Sequence, residues 1–175
     1  MDFQFFDNLS SVDADKFLHN FLEKERGGFS SMVQELRQDN VETQFHIDNI
    51  EGVLVWMLDK LRTLPSTTNE TLPDWIRSTS SYRKGLFSFD EPSNILILRA
   101  AYFMGESFVL DNEKLRWGVG NIDTAVKNMP VVTGFINSME MSPLMVLENT
   151  YKRILVDGVS ATAFSKLIKT WRGYI

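Results

Sequence analysis

Few side chains in this chain could do chemistry. The 175 residues contain two histidines, His19 and His46, and no cysteine. His19 stands four residues before Glu23, a spacing that places two metal ligands on one helix face. No third ligand follows at a matching interval, and no His-Glu-x-x-His run exists, so the pair reads as a solvated imidazole beside a carboxylate. His46 and Asp48 read the same way in a stretch without periodicity. Thiolate nucleophiles, thiolate metal sites and disulfides are excluded outright. Gly28-Phe29-Ser30-Ser31-Met32 and Gly105-Glu106-Ser107 carry fragments of a nucleophile elbow, but neither has its Gly-x-Ser-x-Gly frame. Gly118-Val119-Gly120-Asn121 lacks the third glycine and the lysine that phosphate-binding loops require, so a bent strand end is expected. Arg99 and Glu106, two helical turns apart, predict a partly buried structural ion network ahead of a functional polar cluster near the Trp117 segment. Met139, Met141 and Met145 predict core filling ahead of an adaptable contact surface. Carboxylates are numerous, but nothing selects a glycosidase-like pair. The expectation is a protein without catalytic residues, metal or cofactor.

The elements that would carry these residues are mainly helical. Ser10-Ser11 supply N-cap hydroxyls, and Ala14, Phe17, Leu18, Phe21 and Leu22 follow at helical spacing, with Gly27-Gly28 predicted to end the helix. A short second helix is predicted from Ser30 with Met32, Val33 and Leu36 inward, and Gln38 to Gln44 reads as a loop or short edge strand. Asp48 or Asn49 should cap a third helix with Ile50, Val53, Leu54, Met57, Leu58 and Leu61 as its apolar face. Thr63 to Asp74, with Pro65 and Pro73, predicts a surface loop, Trp75-Ile76 a helical turn, and Ser78 to Ser81 and Gly85 more loop. Pro92-Ser93 open a long helix, Asn94 to about Leu110, with the stripe Ile95, Leu98, Ala101, Tyr102, Gly105, Phe108 and Val109. Gly105 is either a close-packing point or an accident there. Alternation at Leu115, Trp117 and Val119, then Val131 to Ile136, predicts a small hairpin. Ser142-Pro143 start a helix with Leu144, Leu147, Tyr151, Ile154 and Leu155 inward and Gly158 as its stop. Ser160 should cap the last helix, with Phe164, Leu167, Ile168 and Trp171 as its stripe. The fold class is mainly α, a single helical domain over 1-175 carrying a small β-hairpin.

Composition agrees: 43% hydrophobic and 23% charged residues are ordinary for a globular domain. The acidic start Met1-Asp2-Phe3-Gln4-Phe5-Phe6-Asp7 is unlike the basic start of a signal peptide, and no apolar run approaches the ~20 residues that span a bilayer. A soluble cytoplasmic protein without a membrane role is expected. The net charge of −5 is unevenly placed. Residues 1–60 carry twelve acids and five bases, residues 61–120 balance, and residues 121–175 carry four acids and six bases. An acidic third on a neutral body argues against nucleic acid, which needs a clustered basic face. It suits a basic protein partner, or simply keeps the protein soluble.

The stretch Leu98-Arg99-Ala100-Ala101-Tyr102-Phe103-Met104-Gly105-Glu106-Ser107-Phe108, with Arg116-Trp117-Gly118-Val119-Gly120 and Pro130 after it, resembles small bacterial immunity proteins of polymorphic-toxin and contact-dependent growth-inhibition systems. The likeness covers about a quarter of the chain and consists of structural residues. It implies a cytosolic protein that binds one cognate, basic, nuclease-type toxin domain and blocks it by occlusion, with no cofactor. On that reading the acids beside irregular backbone, Asp39, Glu42, Asp48 and Glu51, are the candidate contacts, pairing with the Lys and Arg a nuclease uses for phosphates. The alternatives are a regulatory or adaptor module that binds another protein, a small-molecule pocket among the Trp and Phe side chains, and a hydrolase using His19 or His46.

Overall fold

The computed structural model describes residues 3–65, 85 and 87–175. Its first turn, α1 (Gln4–Asp7), buries Phe6 against Phe17 of the long helix α2 (Ser11–Gln38), the rings edge-on at 5.1 Å. Ser10 caps α2 by accepting the Asp13 amide at 3.2 Å. The helix does not stop at Gly27-Gly28, and no second helix begins at Ser30. Its buried positions Ala14, Phe21, Glu25, Phe29, Met32 and Leu36 recur every three, four or seven residues straight through the glycines. Burial of that stripe, with Phe29 stacked on Phe103 at 4.6 Å, outweighs the roughly 1 kcal/mol that each interior glycine costs. The stop comes at Asn40, whose left-handed φ of 59° lets Val41 N–H reach the Leu36 carbonyl at 2.9 Å.

Of the predicted Gln38–Gln44 stretch, Gln38 is the last residue of α2 and the rest is turn and loop rather than strand, irregular on to residue 46. A 3-10 turn, Ile47–Asn49, then leads into α3 (Ile50–Leu58). Asn49 holds the N-cap position of α3, as predicted, but its side chain makes no cap bond; the bonded cap is His46 at the preceding turn, whose Nδ1 accepts the Asp48 amide at 3.2 Å. Two strands outside the prediction follow: β1 (Thr63–Pro65) pairs antiparallel with β2 (Phe87–Phe89), Thr63 opposite Phe89. Three-residue strands are too short to show alternation, so this ribbon has no sequence period to find. The rest of the predicted Thr63–Asp74 loop, the Trp75-Ile76 turn and the Ser78–Ser81 loop lie outside the described residues, while Gly85, expected as loop, is helical.

The central helix, α4 (Glu91–Asp111), starts three residues earlier than expected because Asp90 is its cap, accepting the Ser93 amide at 2.9 Å. Ile97, Ala100, Phe103 and Met104 are as buried as Ala101, Tyr102 and Phe108, whereas Ile95 is exposed. A single stripe fails as a description because α2, α3, a hairpin and a later helix surround α4. That hairpin is the predicted one, β3 (Arg116–Val119) against β4 (Pro130–Thr133), with Trp117 opposite Val132. Its second strand ends at Thr133, short of Ile136, since Gly134 turns the chain at φ 101°. The helix α5 (Pro143–Asp157) has its predicted Ser142 cap and ends at left-handed Gly158, φ 68°, but Leu155 is exposed rather than inward. The last helix, α6 (Ala163–Arg172), begins after Thr162; Ser160 instead accepts the Thr162 amide in the preceding turn. Its Phe164 meets Tyr151 edge-on at 5.1 Å.

The chain is thus mainly helical with small antiparallel β elements, and buried residues from α1 through α6 join one contiguous core. Long-range ties fix its ends. Asn128 donates to the carbonyls of Phe6 and Leu9 at 3.0 and 2.9 Å, and Ile136 N–H reaches the Tyr174 carbonyl at 2.9 Å. No helix among the described residues is long and apolar enough to cross a membrane.

Candidate partner-binding surface

The four carboxylates singled out in the sequence lie on and around the α2–α3 connection, and the fold gives each a different task. Asp39 ends α2, and its Oδ2 accepts the indole N–H of Trp56 at 2.6 Å, tying the helix end to α3. Glu42 folds back on its own backbone, accepting the amides of Thr43 and Gln44 at 2.9 and 3.1 Å. Arg37 Nε donates to Thr43 Oγ1 and Asn49 Nδ2 to the Gln44 carbonyl, so the irregular loop is held from both sides. His46 bridges inward. Its Nδ1 accepts the Asp48 amide, and its Nε2 lies 3.1 Å from Asp111 Oδ1 at the end of α4.

Asp48 and Glu51 face α6. Arg172 pairs with Asp48 at 2.9 Å, and Ser165 donates to Glu51. Together with Ile47, Ile168 and Lys169 these residues line a cleft of about 290 Å³. Arg172, Ser165 and Lys169 were not foreseen as part of this surface. They come from the far end of the chain, and no local pattern joins them to residue 48. Asp111 is a further acid delivered only by the fold.

Glu35, Asp39, Glu42, Asp48, Glu51 and Asp59 thus fall within one run of chain in which Arg37 is the only base. Lys60, just beyond, is engaged locally, 2.9 Å from Glu35 and 4.1 Å above the Trp56 ring. The Asp48–Arg172 pair is well exposed, its side chains 62% and 50% accessible. Exposed pairs contribute only about 0–1 kcal/mol, so exchanging Arg172 for another cation costs little.

The other sequence candidates separate. His19 is exposed beside Leu22, Glu23 and Arg26 in a shallow depression, and among the described residues no group of three or more His, Asp and Glu could hold a metal ion. Ser30 and Ser31 bond back to the carbonyls of Arg26 and Gly28, and Ser107 is fully buried. Gly120 closes the hairpin loop through Met129 and Asn128, the bent strand end predicted for it. Glu106 accepts the Trp117 indole N–H at 2.9 Å, while Arg99 turns away toward α2, so the two do not form one network. Met141 is fully buried and Met139 and Met145 pack partly against the core.

The chain matches no known family model, no curated protein and no solved structure.

Proposed function

We propose that this protein is an immunity-type inhibitor that binds a basic toxin domain through the acidic α2–α3 connection and blocks it by occlusion. The observation that supports this reading is the way the acids are presented. Glu42 sits in an irregular loop, Asp48 in the 3-10 turn and Glu51 in the first turn of α3, and hydrogen bonds hold this connection in one shape, so little ordering entropy opposes binding. The exposed Asp48–Arg172 pair can pass its carboxylate to an incoming arginine, which would add a bidentate contact and fix register. An excess of acid at one end of the molecule would also speed encounter with a basic partner.

The direct test is to sequence the neighbouring reading frames for a secreted protein with a C-terminal toxin domain and to assay this protein for rescue from that domain; a neighbourhood without one counts against the proposal. Co-expression should restore growth, and the triple variant Glu42→Lys, Asp48→Lys, Glu51→Lys should abolish rescue. Its affinity should fall and lose its salt dependence, while reversing Asp13, Asp15 and Glu23 on the distant half of α2 should leave rescue intact. Full rescue by the triple variant, with unchanged affinity and salt dependence, would overturn the proposal.

A further inference from the structure

A second feature lies on the other half of α2 and does not depend on the reading above. Phe17, Asn20, Phe21, Lys24 and Glu25 of α2, with Leu98 of α4, line a cleft of about 300 Å³. Its walls are mostly apolar and rigid. Phe17 rests edge-on against Phe6, and Phe21 edge-on against Trp117 at 5.8 Å, whose indole is in turn held by Glu106. The one buried polar group in the wall is Glu25, only 3% exposed. No described residue donates a hydrogen bond to its carboxylate or forms an ion pair with it; Lys24 and Arg99 act on it only through space. Arg99 comes near and stops short. Its Nε, buried and without an acceptor, lies 2.8 Å from where a Gly28 Cβ would stand, and Glu25 Oε2 lies 3.4 Å from the same point. The bare α-carbon of Gly28 makes room for both groups, and they do not close on each other.

The Glu25 oxygens are not sealed into the core as Arg99 Nε is; the carboxylate stays in touch with solvent at a mostly apolar cleft, where a charge is poorly compensated and a cation would be welcome. Burial pushes the Glu25 carboxyl above its ordinary value, the mark of an incompletely compensated charge. We propose that this cleft binds a small organic monocation, an ammonium or amidinium carried on an apolar or aromatic body. The cation would sit against Glu25, and the body would lie between Phe17, Phe21 and Leu98. Aromatic walls around a single buried carboxylate suit that ligand class because ring faces attract a cation that has left water. The exposed ammonium of Lys24 and the guanidinium of Arg99 both oppose it and limit affinity, while the Lys24 methylene stem forms part of the wall.

The test is an NMR titration of the full chain with benzylammonium chloride, using benzyl alcohol as the neutral counterpart. Benzylammonium should shift the amides around Phe17, Phe21 and Glu25 saturably, and benzyl alcohol should bind about tenfold more weakly or worse. Glu25→Gln keeps the shape, removes the charge, and should weaken benzylammonium by about tenfold or more while leaving benzyl alcohol unchanged. Lys24→Met should tighten benzylammonium and so shows the opposite sign in a protein whose Glu25 is intact. Equal binding of the two probes, an indifferent Glu25→Gln variant, or no saturable shift overturns the proposal.

Discussion

At Gly105 the Trp117 indole lies directly on the helix backbone. A Cβ there would overlap the ring carbons Cζ2 and Cη2 and come within 3.1 Å of Pro143 Cγ. The ring cannot yield easily, because its N–H is fixed by Glu106 and its edge by Phe21. Gly27, by contrast, is exposed in the middle of α2 with nothing within 4 Å of the same construction. The two glycines therefore predict opposite signs for one chemical change. Gly105→Ala should destabilise by about 1–3 kcal/mol through overpacking. Gly27→Ala should stabilise by about 0.5–1 kcal/mol by reducing unfolded-chain entropy. Urea denaturation with constant slope measures both; a stabilised Gly105→Ala variant would refute the packing account.

At the scale of elements, the start of α4 carries a pH signature. Asp90 accepts the Ser93 amide, and the Ser93 side chain and amide together hold its carboxyl below the ordinary aspartate value. The same Ser93 hydroxyl accepts the Arg62 amide at 2.7 Å, so the cap also anchors the chain entering β1. The native state binds the proton less readily than the unfolded chain does. The contribution is therefore present in full above the unfolded value and is lost as pH falls toward the lowered folded value. Asp90→Ala should lower stability at pH 7 and flatten its acid dependence. Asp90→Asn should flatten the dependence while keeping most of the cap, because an amide oxygen accepts the same bond at any pH. Chemical denaturation of both variants between pH 3 and pH 7 decides this, and a wild-type slope in either variant counts against it.

For the whole molecule, the acidic surface at the α2–α3 connection is completed by the last helix. Phe164 is fully buried against Tyr151, and Tyr151 donates to the Leu54 carbonyl of α3 at 3.2 Å. Phe164→Ala should cost about 3–5 kcal/mol. It should also weaken hydrogen-exchange protection around residues 47–51 more than at the β3–β4 hairpin, since α6 forms the far wall of that cleft. Uniform loss of protection would mean that α6 supports the core without supporting the acidic surface in particular.

Much of this fold was legible along the chain. The 3.6-residue period marked α3, α4, α5 and α6, Ser142 and Gly158 marked the ends of α5, and one alternating run with a second apolar run marked the hairpin. These signals are local, produced by capping chemistry and by the face each element must bury. Where local preference and packing disagreed, packing prevailed: α2 runs through two glycines because its stripe is buried on both sides of them. The acids Asp39, Glu42, Asp48 and Glu51 could be read as a cluster in sequence, yet their tasks could not. Asp39 takes Trp56 from 17 residues away, Glu51 takes Ser165 from 114, and Asp48 takes Arg172 from 124. Glu25 shows the same division. Its position on the inward stripe follows from helical spacing, but its isolation from Arg99 is a matter of where two helices cross. Composition and periodicity determined a helical protein with an acidic end. Only tertiary packing decided which charges are paired, which are exchangeable and which is left buried without a partner, because those properties depend on contacts between residues that no local spacing relates.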